Sequence, residues 1–353
     1  MKKALSILTA GCLAVSLAAC GSTAASSAAS AADSTASSAA ESTAATDTAA
    51  ADGQTYKVGI CQLVQHAALD AATQGFEDAL TAEFGDNVKF DFQNAQGDSA
   101  TCATIANGFV SSGVDLIMAN ATPALQAAQS ATNEIPVLGT SVTEYGVALG
   151  LTDFSGTVGG NISGTSDLAP LDQQADMIVE WMPDAKKVGL LYSLSEPNSA
   201  KPIADAKAYL DTKGIEYVEQ TANTNDEVVA AASALIAAGV DAVFTPTDNV
   251  IMAAELAIYE DLAKNGIPHY TGADSFVRNG AYATCGVNYT DLGAKTADLA
   301  YSAITDGMDG MEDYYLMDGG IITVNTDTAA AMSLDYSCFD SMGTVVEVTT
   351  TKD

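Results

Sequence analysis

Several groups of polar side chains in this sequence each follow a short apolar run of the kind that forms a buried β-strand. Their hydroxyl, amide and carboxylate groups suit the binding of a small charged molecule. The candidate binding residues are Gln65, His66, Asn120, Thr122, Ser195, Glu196, Asn198, Ser199, Asp248, Asn249, Asp274 and Ser275. The two histidines of the chain have no serine turn of the G-x-S-x-G type nearby that would make a nucleophile and base. We therefore predict a binding protein with no catalytic residues.

The charged candidates indicate that one end of the ligand is positively charged. Glu196, Asp248 and Asp274 are carboxylates at positions that can pair with an ammonium group. The single arginine of the chain, Arg278, lies in a predicted surface turn, so a guanidinium is not expected to hold a ligand carboxylate.

Two of the groups share a sequence feature that favours binding of a carboxylate. Thr122-Pro123 and Glu196-Pro197 each fit a helix N-cap followed by proline at the first helical position. The start of a helix offers free N–H groups and the positive end of the helix dipole. Together with the acidic candidates, these helix starts predict a site for a zwitterion.

A plainer interpretation remains open for each group, because Ser, Thr, Asp and Asn are the usual helix caps in any protein. The two roles are compatible. His66 is either a cleft residue or a hydrogen-bonded surface group, and Trp181, in a predicted helix Leu171–Met182, is expected in the core rather than at the ligand.

The elements that position these groups alternate between strand and helix. Apolar runs predict strands at Lys57–Val64, Val88–Phe92, Val114–Met118, Ile135–Gly139, Lys187–Tyr192, Ile215–Glu219, Ala242–Thr245, Pro268–Thr271 and Ala281–Val287. Helical periodicity lies between them, as in Leu69–Phe84, Ala100–Ser112 and Glu227–Ala238. The pattern runs twice, which predicts an α/β fold of two doubly wound parallel-sheet lobes. Ligands of such sheets bind beyond the carboxyl ends of the strands, where the candidates lie.

A glycine-rich stretch, Gly156–Gly164, separates the two runs. It differs from a dinucleotide fingerprint because no helix opens from its glycines and no acidic residue follows at the expected strand end. We predict that it is a crossover between the lobes, where glycine permits a hinge, and we expect no cofactor.

Composition excludes several function classes. The chain has 45 acidic against 13 basic residues and a net charge of −32, whereas nucleic-acid binding needs a basic surface.

Cys61, Cys102, Cys285 and Cys338 have no metal-site spacing, and two histidines cannot form a histidine-rich metal site. These four cysteines, which follow Cys12 and Cys20 in the chain, allow three disulfide pairings, but free thiols are favoured because Cys61 and Cys285 lie in strand-like runs.

The N-terminal residues predict export. Met1-Lys2-Lys3 precedes a short apolar run that ends in Leu17-Ala18-Ala19-Cys20-Gly21, the pattern of a lipoprotein signal peptide (1–20) with a lipidated Cys20. The alternative is an ordinary signal peptide in which Cys20 is incidental. Residues 21–54 are almost entirely Ala, Ser and Thr and predict a disordered tether. We expect an extracytoplasmic protein that contacts the membrane through its lipid anchor only.

At the same strand ends the sequence resembles the ABC-transporter solute-binding proteins for tryptophan or tyrosine uptake. The matching stretches are KVGICQLVQHAALDAA (Lys57–Ala72), GNISGTSDLAP (Gly160–Pro170), VGLLYSLSEPNS (Val188–Ser199), VFTPTDN (Val243–Asn249) and GADSFVRNGAYATCGVNYTDLG (Gly272–Gly293). The resemblance implies a clamp of the type I periplasmic-binding-protein kind, with a multi-strand hinge. Gly319–Leu334 resembles the closing strand and helix of that family, which implies a last crossover.

The resemblance also implies roles and boundaries. Gln65, His66 and Thr122 would face the ligand from the first lobe, the Ser195–Ser199 group would close from the second, and Asp248 and Asp274 would be the main ammonium partners. The expected lobes are 55–165 plus about 288–312, and 166–287 plus about 313–350.

The resulting hypothesis is capture of an aromatic amino acid and its delivery to the permease of an ABC importer with its ATPase subunit, by a monomeric protein. Alternatives are a sugar or other small solute in the same clamp, or a ligand sensor without transport. A sugar is less favoured because few aromatic residues stand at the strand ends, Tyr192 being the main one.

Overall fold

Strands and helices alternate along nearly the whole length of the protein. The computed structural model describes residues 54–169, 171–179 and 182–351. The predicted signal peptide with Cys20, residues 21–53 of the tether, and Trp181 lie outside the described residues.

The described elements fall into two similar runs. The strands are β1 (Tyr56–Gln62), β2 (Val88–Asn94), β3 (Leu116–Asn120), β4 (Val137–Val142), β5 (Ile162–Ser166), β6 (Lys187–Tyr192), β7 (Glu216–Thr221), β8 (Ala242–Thr245), β9 (His269–Thr271), β10 (Ala283–Gly286), β11 (Tyr315–Leu316), β12 (Ile321–Asn325) and β13 (Val345–Val348). The helices are α1 (Ala67–Phe84), α2 (Ser99–Ser112), α3 (Thr122–Ala131), α4 (Tyr145–Ala148), α5 (Leu171–Val179), α6 (Ala200–Lys213), α7 (Asn225–Ala238), α8 (Asn249–Lys264), α9 (Asp274–Arg278), α10 (Tyr289–Thr305) and α11 (Thr326–Met332).

The strands form two sheets with the same core order. The first sheet runs β11-β5-β4-β3-β1-β2 and the second runs β13-β12-β10-β9-β8-β6-β7. In each sheet the order reverses next to its first strand, between β1 and β3 or between β6 and β8. This reversal is the topological switch point at which doubly wound sheets bind ligands. The predicted α/β architecture of two doubly wound lobes is therefore confirmed. One pairing, β10 with β12, is antiparallel.

The chain passes between the two sheets at three places. It leaves the first sheet after β5, returns after β10 to α10, and leaves again after β11 for β12. Helix α10 packs along α1 in the first lobe, and two glycines allow the close approach. A Cβ on Gly75 would collide with the carbonyl oxygen of Thr290, and one on Gly293 with that of Ala72.

Two expectations about these crossings are corrected. Gly156–Gly164 is not the crossover: its last three residues belong to β5, which pairs with β4 in the first sheet, so the crossing begins at Asp167. The second lobe does not resume at about residue 313, because Tyr315 and Leu316 pair with β5. The chain reaches the second sheet only at Ile321.

Local sequence explains where the helices begin and end. The Asp98 side chain accepts hydrogen bonds from two N–H groups of the first turn of α2, and Gly113 ends that helix in the left-handed conformation. At the start of helix α7, the N-cap Thr224 accepts from the Glu227 N–H, and Glu227 accepts from the N–H of Asn223, the residue before the cap.

Each sheet is covered on both faces by apolar side chains, as a parallel sheet requires. Along β1, Ile60 packs into one core of the first lobe and Cys61 into the core on the opposite face. Within the described residues, no helix is long and apolar enough to cross a membrane.

Candidate functional site

A small, partly open cavity lies between the lobes, at the carboxyl ends of the strands; its empty space, open solvent included, is about 330 Å³. The side chains around it come from both lobes and from the crossovers. They are His66, Leu69, Thr122, Ser141, Asp167, Asn198, Thr247, Asp248, Asn249, Met252, Ala273, Ser275, Phe276 and Tyr289.

Unpartnered polar atoms are concentrated at this cavity. Buried side-chain atoms without a hydrogen-bond partner are normally rare, because each costs about 1–3 kcal/mol. Among the described residues, six of the eight such atoms belong to side chains that line the cavity. They are His66 Nδ1, Thr122 Oγ1, Ser141 Oγ, Asp167 Oδ1, Asn198 Oδ1 and Ser275 Oγ. A polar ligand would supply the missing partners.

Asp167 is the acidic residue best placed to meet such a ligand. It begins the first crossover and is 3% exposed. The Tyr289 hydroxyl donates to its Oδ2 over 2.8 Å, while its Oδ1 has no protein partner. Burial raises the pKa of Asp167, and the hydrogen bond from Tyr289 opposes that rise. A ligand ammonium at Oδ1 would favour the ionised form further.

Hydroxyl groups face the cavity at the ends of β3 and β4. Thr122 opens α3, and Ser141 lies near the end of β4. Ser141 and Ala121, which precedes Thr122, both have positive φ, 53° and 91°. Non-glycine residues rarely adopt such backbone angles, and they tend to do so at functional sites. These hydroxyls and the start of α3 can bind a carboxylate.

The rest of the wall is apolar. Leu69 comes from α1, Met252 from α8 and Phe276 from α9, and each is at most 3% exposed. Together with the Tyr289 ring they form the kind of surface that buries an aromatic or large aliphatic group. The cavity therefore combines polar groups for a charged end with an apolar wall.

Direct contacts already join the two lobes beside the cavity. Thr143 and Thr247 share a 2.8 Å hydrogen bond between their hydroxyls. Nε2 of His66 lies 3.0 Å from Oδ1 of Asn249. Side-chain contacts therefore join the two lobes at more than one point beside the cavity.

The structure brings half of the predicted residues to the cavity. These are His66, Thr122, Asn198, Asp248, Asn249 and Ser275. The other half do not line it: Gln65, Asn120, Ser195, Glu196, Ser199 and Asp274. Asn120 ties β3 to α1 by donating to the Leu69 carbonyl oxygen, and Gln65 and Ser195 are exposed.

Asp248, expected as an ammonium partner, is occupied by the protein itself. Its Oδ1 caps α8 by accepting from the N–H groups of Val250 and Ile251. Its Oδ2 accepts from the Ser193 N–H and the Ser199 hydroxyl, each over 2.7 Å. Four hydrogen bonds leave no lone pair well placed for a ligand, so this residue supports the site.

Asp274, the other expected partner, lies in a separate open groove and accepts a 2.9 Å hydrogen bond from Arg278 Nε. Glu196 is buried behind the cavity, where it accepts from Asn249 Nδ2. Burial and, secondly, the neighbouring Asp248 carboxylate raise the pKa of Glu196 to about 7.

Sequence reasoning missed Ser141, Asp167 and Tyr289, among others. Asp167 directly follows β5, so the rule that located the other candidates would have found it had Ile162–Ser166 been recognised as a strand. Tyr289, at the start of α10, gives no comparable signal. Within the described residues, no group of three or more His, Cys, Asp or Glu side chains is arranged to hold a metal ion, and the four cysteines are free thiols.

A family model described as ABC transporter substrate binding protein matches residues 57–334. This chain belongs to that family. The assignment implies a small-molecule ligand and a permease partner.

The chain is also similar to individual proteins over most of its length. A tyrosine-binding protein of Clostridioides difficile (strain R20291) is 37% identical over 288 residues, which cover 81% of this chain and 83% of the relative. The crystal structure of an ABC domain from Streptococcus pneumonia in complex with L-Trp is 29% identical, with a TM-score of 0.76 over 83% of this chain and 100% of that one. A ligand-free, open substrate binding protein with adhesive properties from Clostridium difficile is 35% identical, with a TM-score of 0.63 over 83% of this chain and 99% of that one.

Proposed function

We propose that this protein captures an aromatic amino acid in the cavity between its lobes and delivers it to the permease of an ABC importer. The observation that carries the proposal is the cavity itself, where a buried carboxylate oxygen and several hydroxyls lack partners beside an apolar wall. An amino acid supplies an ammonium for Asp167, a carboxylate for the hydroxyls, and a ring for Phe276 and Met252.

The relatives support the same ligand class. One is named for tyrosine, and another was crystallised with L-Trp. The Trp-bound structure also superposes better than the open, ligand-free one, although its sequence identity is lower. This supports the inference that the present arrangement of the lobes is the closed, ligand-holding one.

The lobes close on the ligand because residues of both lobes bind it. Thr122 and Ser141 belong to the first lobe, Asn198 and Ser275 to the second, and Asp167 to the crossover between them. A ligand completes all its contacts only when the lobes meet, so it stabilises the closed form by its extra affinity for that form. Delivery then consists of docking the closed clamp on the permease. We propose no catalytic step.

The N-terminal segment supports a place for the protein outside the cytoplasm. A signal peptide ending at Cys20 would leave a lipid anchor followed by an Ala/Ser/Thr-rich tether. The wild-type protein should then incorporate labelled fatty acid, and replacing Cys20 by serine should abolish the labelling; equal labelling of the two proteins would contradict an anchor at Cys20. We propose that the anchored protein is a monomer, which light scattering during size-exclusion chromatography measures directly.

A thermal-shift screen with the twenty amino acids tests the ligand class. A ligand present at about 100 times its Kd stabilises the native state by about 2.7 kcal/mol, which raises the Tm by several degrees. Tyrosine, tryptophan or phenylalanine should give the largest shift. A shift with a sugar and none with any amino acid would replace the proposal by the sugar-binding alternative.

A further inference from the structure

A chain of three side chains crosses from the second lobe to the first beside the cavity. Asn249 Nδ2 donates to Glu196 Oε2 over 2.8 Å, and Asn249 Oδ1 lies 3.0 Å from His66 Nε2. Glu196 and Asn249 belong to the second lobe, and His66 precedes α1 of the first. Only His66 and Asn249 reach the cavity, so Glu196 acts from behind it.

The direction of these hydrogen bonds is fixed at the Glu196 end. An ionised carboxylate only accepts hydrogen bonds, so the amide of Asn249 must turn its NH₂ group to Glu196. Its carbonyl oxygen, which only accepts, then faces His66. The hydrogen between them must therefore sit on His66 Nε2.

This arrangement determines whether Nδ1, the His66 ring nitrogen that faces the ligand, donates or accepts a hydrogen bond. In a neutral imidazole that carries its hydrogen on Nε2, Nδ1 is an acceptor. Burial lowers the pKa of His66, which favours the neutral ring. Nδ1 is buried without a protein partner, in a side chain that lines the cavity. It needs a donor, and the ligand is the group that can provide one.

We propose that Glu196, acting through Asn249, holds His66 as a hydrogen-bond acceptor for the ligand, so that the site selects aromatic side chains bearing an N–H or O–H donor over phenylalanine. Asp167 takes the ammonium, because its Oδ1 is the unpartnered carboxylate oxygen of the cavity among the described residues. His66 Nδ1 is then left for a donor on the ring. Glu196 is a positioning residue, and His66 is the residue that contacts the ligand. The inference rests on the proposed function.

Paired ligands that differ only in the donor provide the test. L-tryptophan and 3-benzothienyl-L-alanine have similar shapes, but sulfur replaces the indole N–H in the second. Tryptophan is the sharper probe because its indole nitrogen only donates, whereas a phenol both donates and accepts. At pH 8.5, where Glu196 is ionised, the wild-type protein should bind tryptophan at least about 10-fold more tightly, since the analogue leaves a buried acceptor unpaired.

Two variants distinguish between two possible roles of Glu196. It either orients the His66 ring or only supports the contact between the lobes. Glu196→Gln presents either an oxygen or an NH₂ group to Asn249, so the affinity ratio between the two ligands should fall at least about threefold. His66→Leu removes the acceptor, and both this ratio and the tyrosine-to-phenylalanine ratio should approach 1. Glu219→Gln is the matched control, because Glu219 pairs with Lys207 on the surface and should leave both ratios unchanged.

Equal weakening of both ligands in Glu196→Gln would overturn the inference, because Glu196 would then only support closure. A wild-type protein that binds phenylalanine as tightly as tyrosine would overturn it as well. If no aromatic amino acid binds at all, the proposed function itself fails. Tight binding of aromatic amino acids with and without a ring donor, at equal affinity, would refute only the role of His66.

A second measurement reads the tautomer of His66 directly, in protein that is closed by saturating 3-benzothienyl-L-alanine, because this ligand offers Nδ1 no ring donor. The chain has two histidines, His66 and His269, so their ¹⁵N signals can be assigned with the His66→Leu variant. At pH 8.5 the shifts of His66 should show the hydrogen on Nε2 in the wild-type protein and a mixture of tautomers in Glu196→Gln. A hydrogen on Nδ1 in the wild-type protein would overturn the inference.

Discussion

The Tyr289 hydroxyl donates a 2.8 Å hydrogen bond to Oδ2 of Asp167, which leaves the other carboxylate oxygen at the cavity without a protein partner. Both residues lie where the chain crosses between the lobes. Because crossovers are where the lobes hinge, an ammonium held by Asp167 would sit at the hinge itself.

Replacing Asp167 by asparagine should weaken aromatic amino-acid binding by about 2 kcal/mol or more, because the ammonium loses its buried ionic partner. Asp274→Asn is the matched control. Asp274 pairs with Arg278 away from the cavity, so the control should change the Kd less than about threefold. Isothermal titration calorimetry gives both values. A larger loss in the control than in Asp167→Asn would reverse the two assignments.

Ligand affinity should fall as the pH is lowered, because binding the ammonium requires an ionised Asp167. Burial raises the pKa of this residue and the Tyr289 hydroxyl lowers it. Tyr289→Phe removes the lowering contribution, so the loss of affinity should begin at a higher pH in the variant. Kd values measured from pH 8 down to pH 5 provide the comparison. Coincident profiles would show that the hydroxyl does not tune the carboxylate.

Asp248→Ala should act mainly on stability. The variant loses the cap of α8 and leaves the buried Ser199 hydroxyl without its acceptor, at a cost of about 2–4 kcal/mol in the free energy of unfolding. Asp98→Ala removes an exposed cap from α2 and should destabilise the protein less. Urea unfolding measures both. Normal stability with abolished binding would instead make Asp248 a direct ligand contact.

The ligand-free protein should lose stability as the pH rises toward 8, and Glu196 should account for part of the loss. Its pKa is about 7 in the folded protein, against about 4.3 in the unfolded chain. Its contribution is thus complete below about pH 4 and is lost as the pH passes through 7. Between pH 5 and pH 8, Glu196→Gln should flatten the decline by about 2–3 kcal/mol. Parallel stability curves for the two proteins would contradict the raised pKa.

The fold was predictable where burial leaves a simple pattern. Continuous apolar runs give β6 and β8 their observed bounds, because strands covered on both faces have apolar side chains on both. Strand β5 lacks that pattern: its sequence is ISGTS, and its central glycine is required because a Cβ on Gly164 would collide with the carbonyl oxygen of Gly139. Its identity as a strand depends on pairing with β4, which the local sequence does not show.

The site was predictable to the extent that it follows strand ends. That rule locates His66, Thr122 and Asn198, but a strand end does not tell whether a polar side chain faces the ligand or caps a helix, as Asp248 does. Phe276 and Met252 lie on helices, where an apolar residue at the cavity looks like any core residue. Only the three-dimensional structure shows which polar atoms are left without partners.

A crystal structure of the protein grown with L-tyrosine would show where the ligand binds. We expect one tyrosine enclosed between the lobes, its ammonium nitrogen within about 3 Å of Asp167 Oδ1 and its ring against Phe276 and Met252. An amino acid bound elsewhere, or one whose ammonium avoids Asp167, would contradict this expectation.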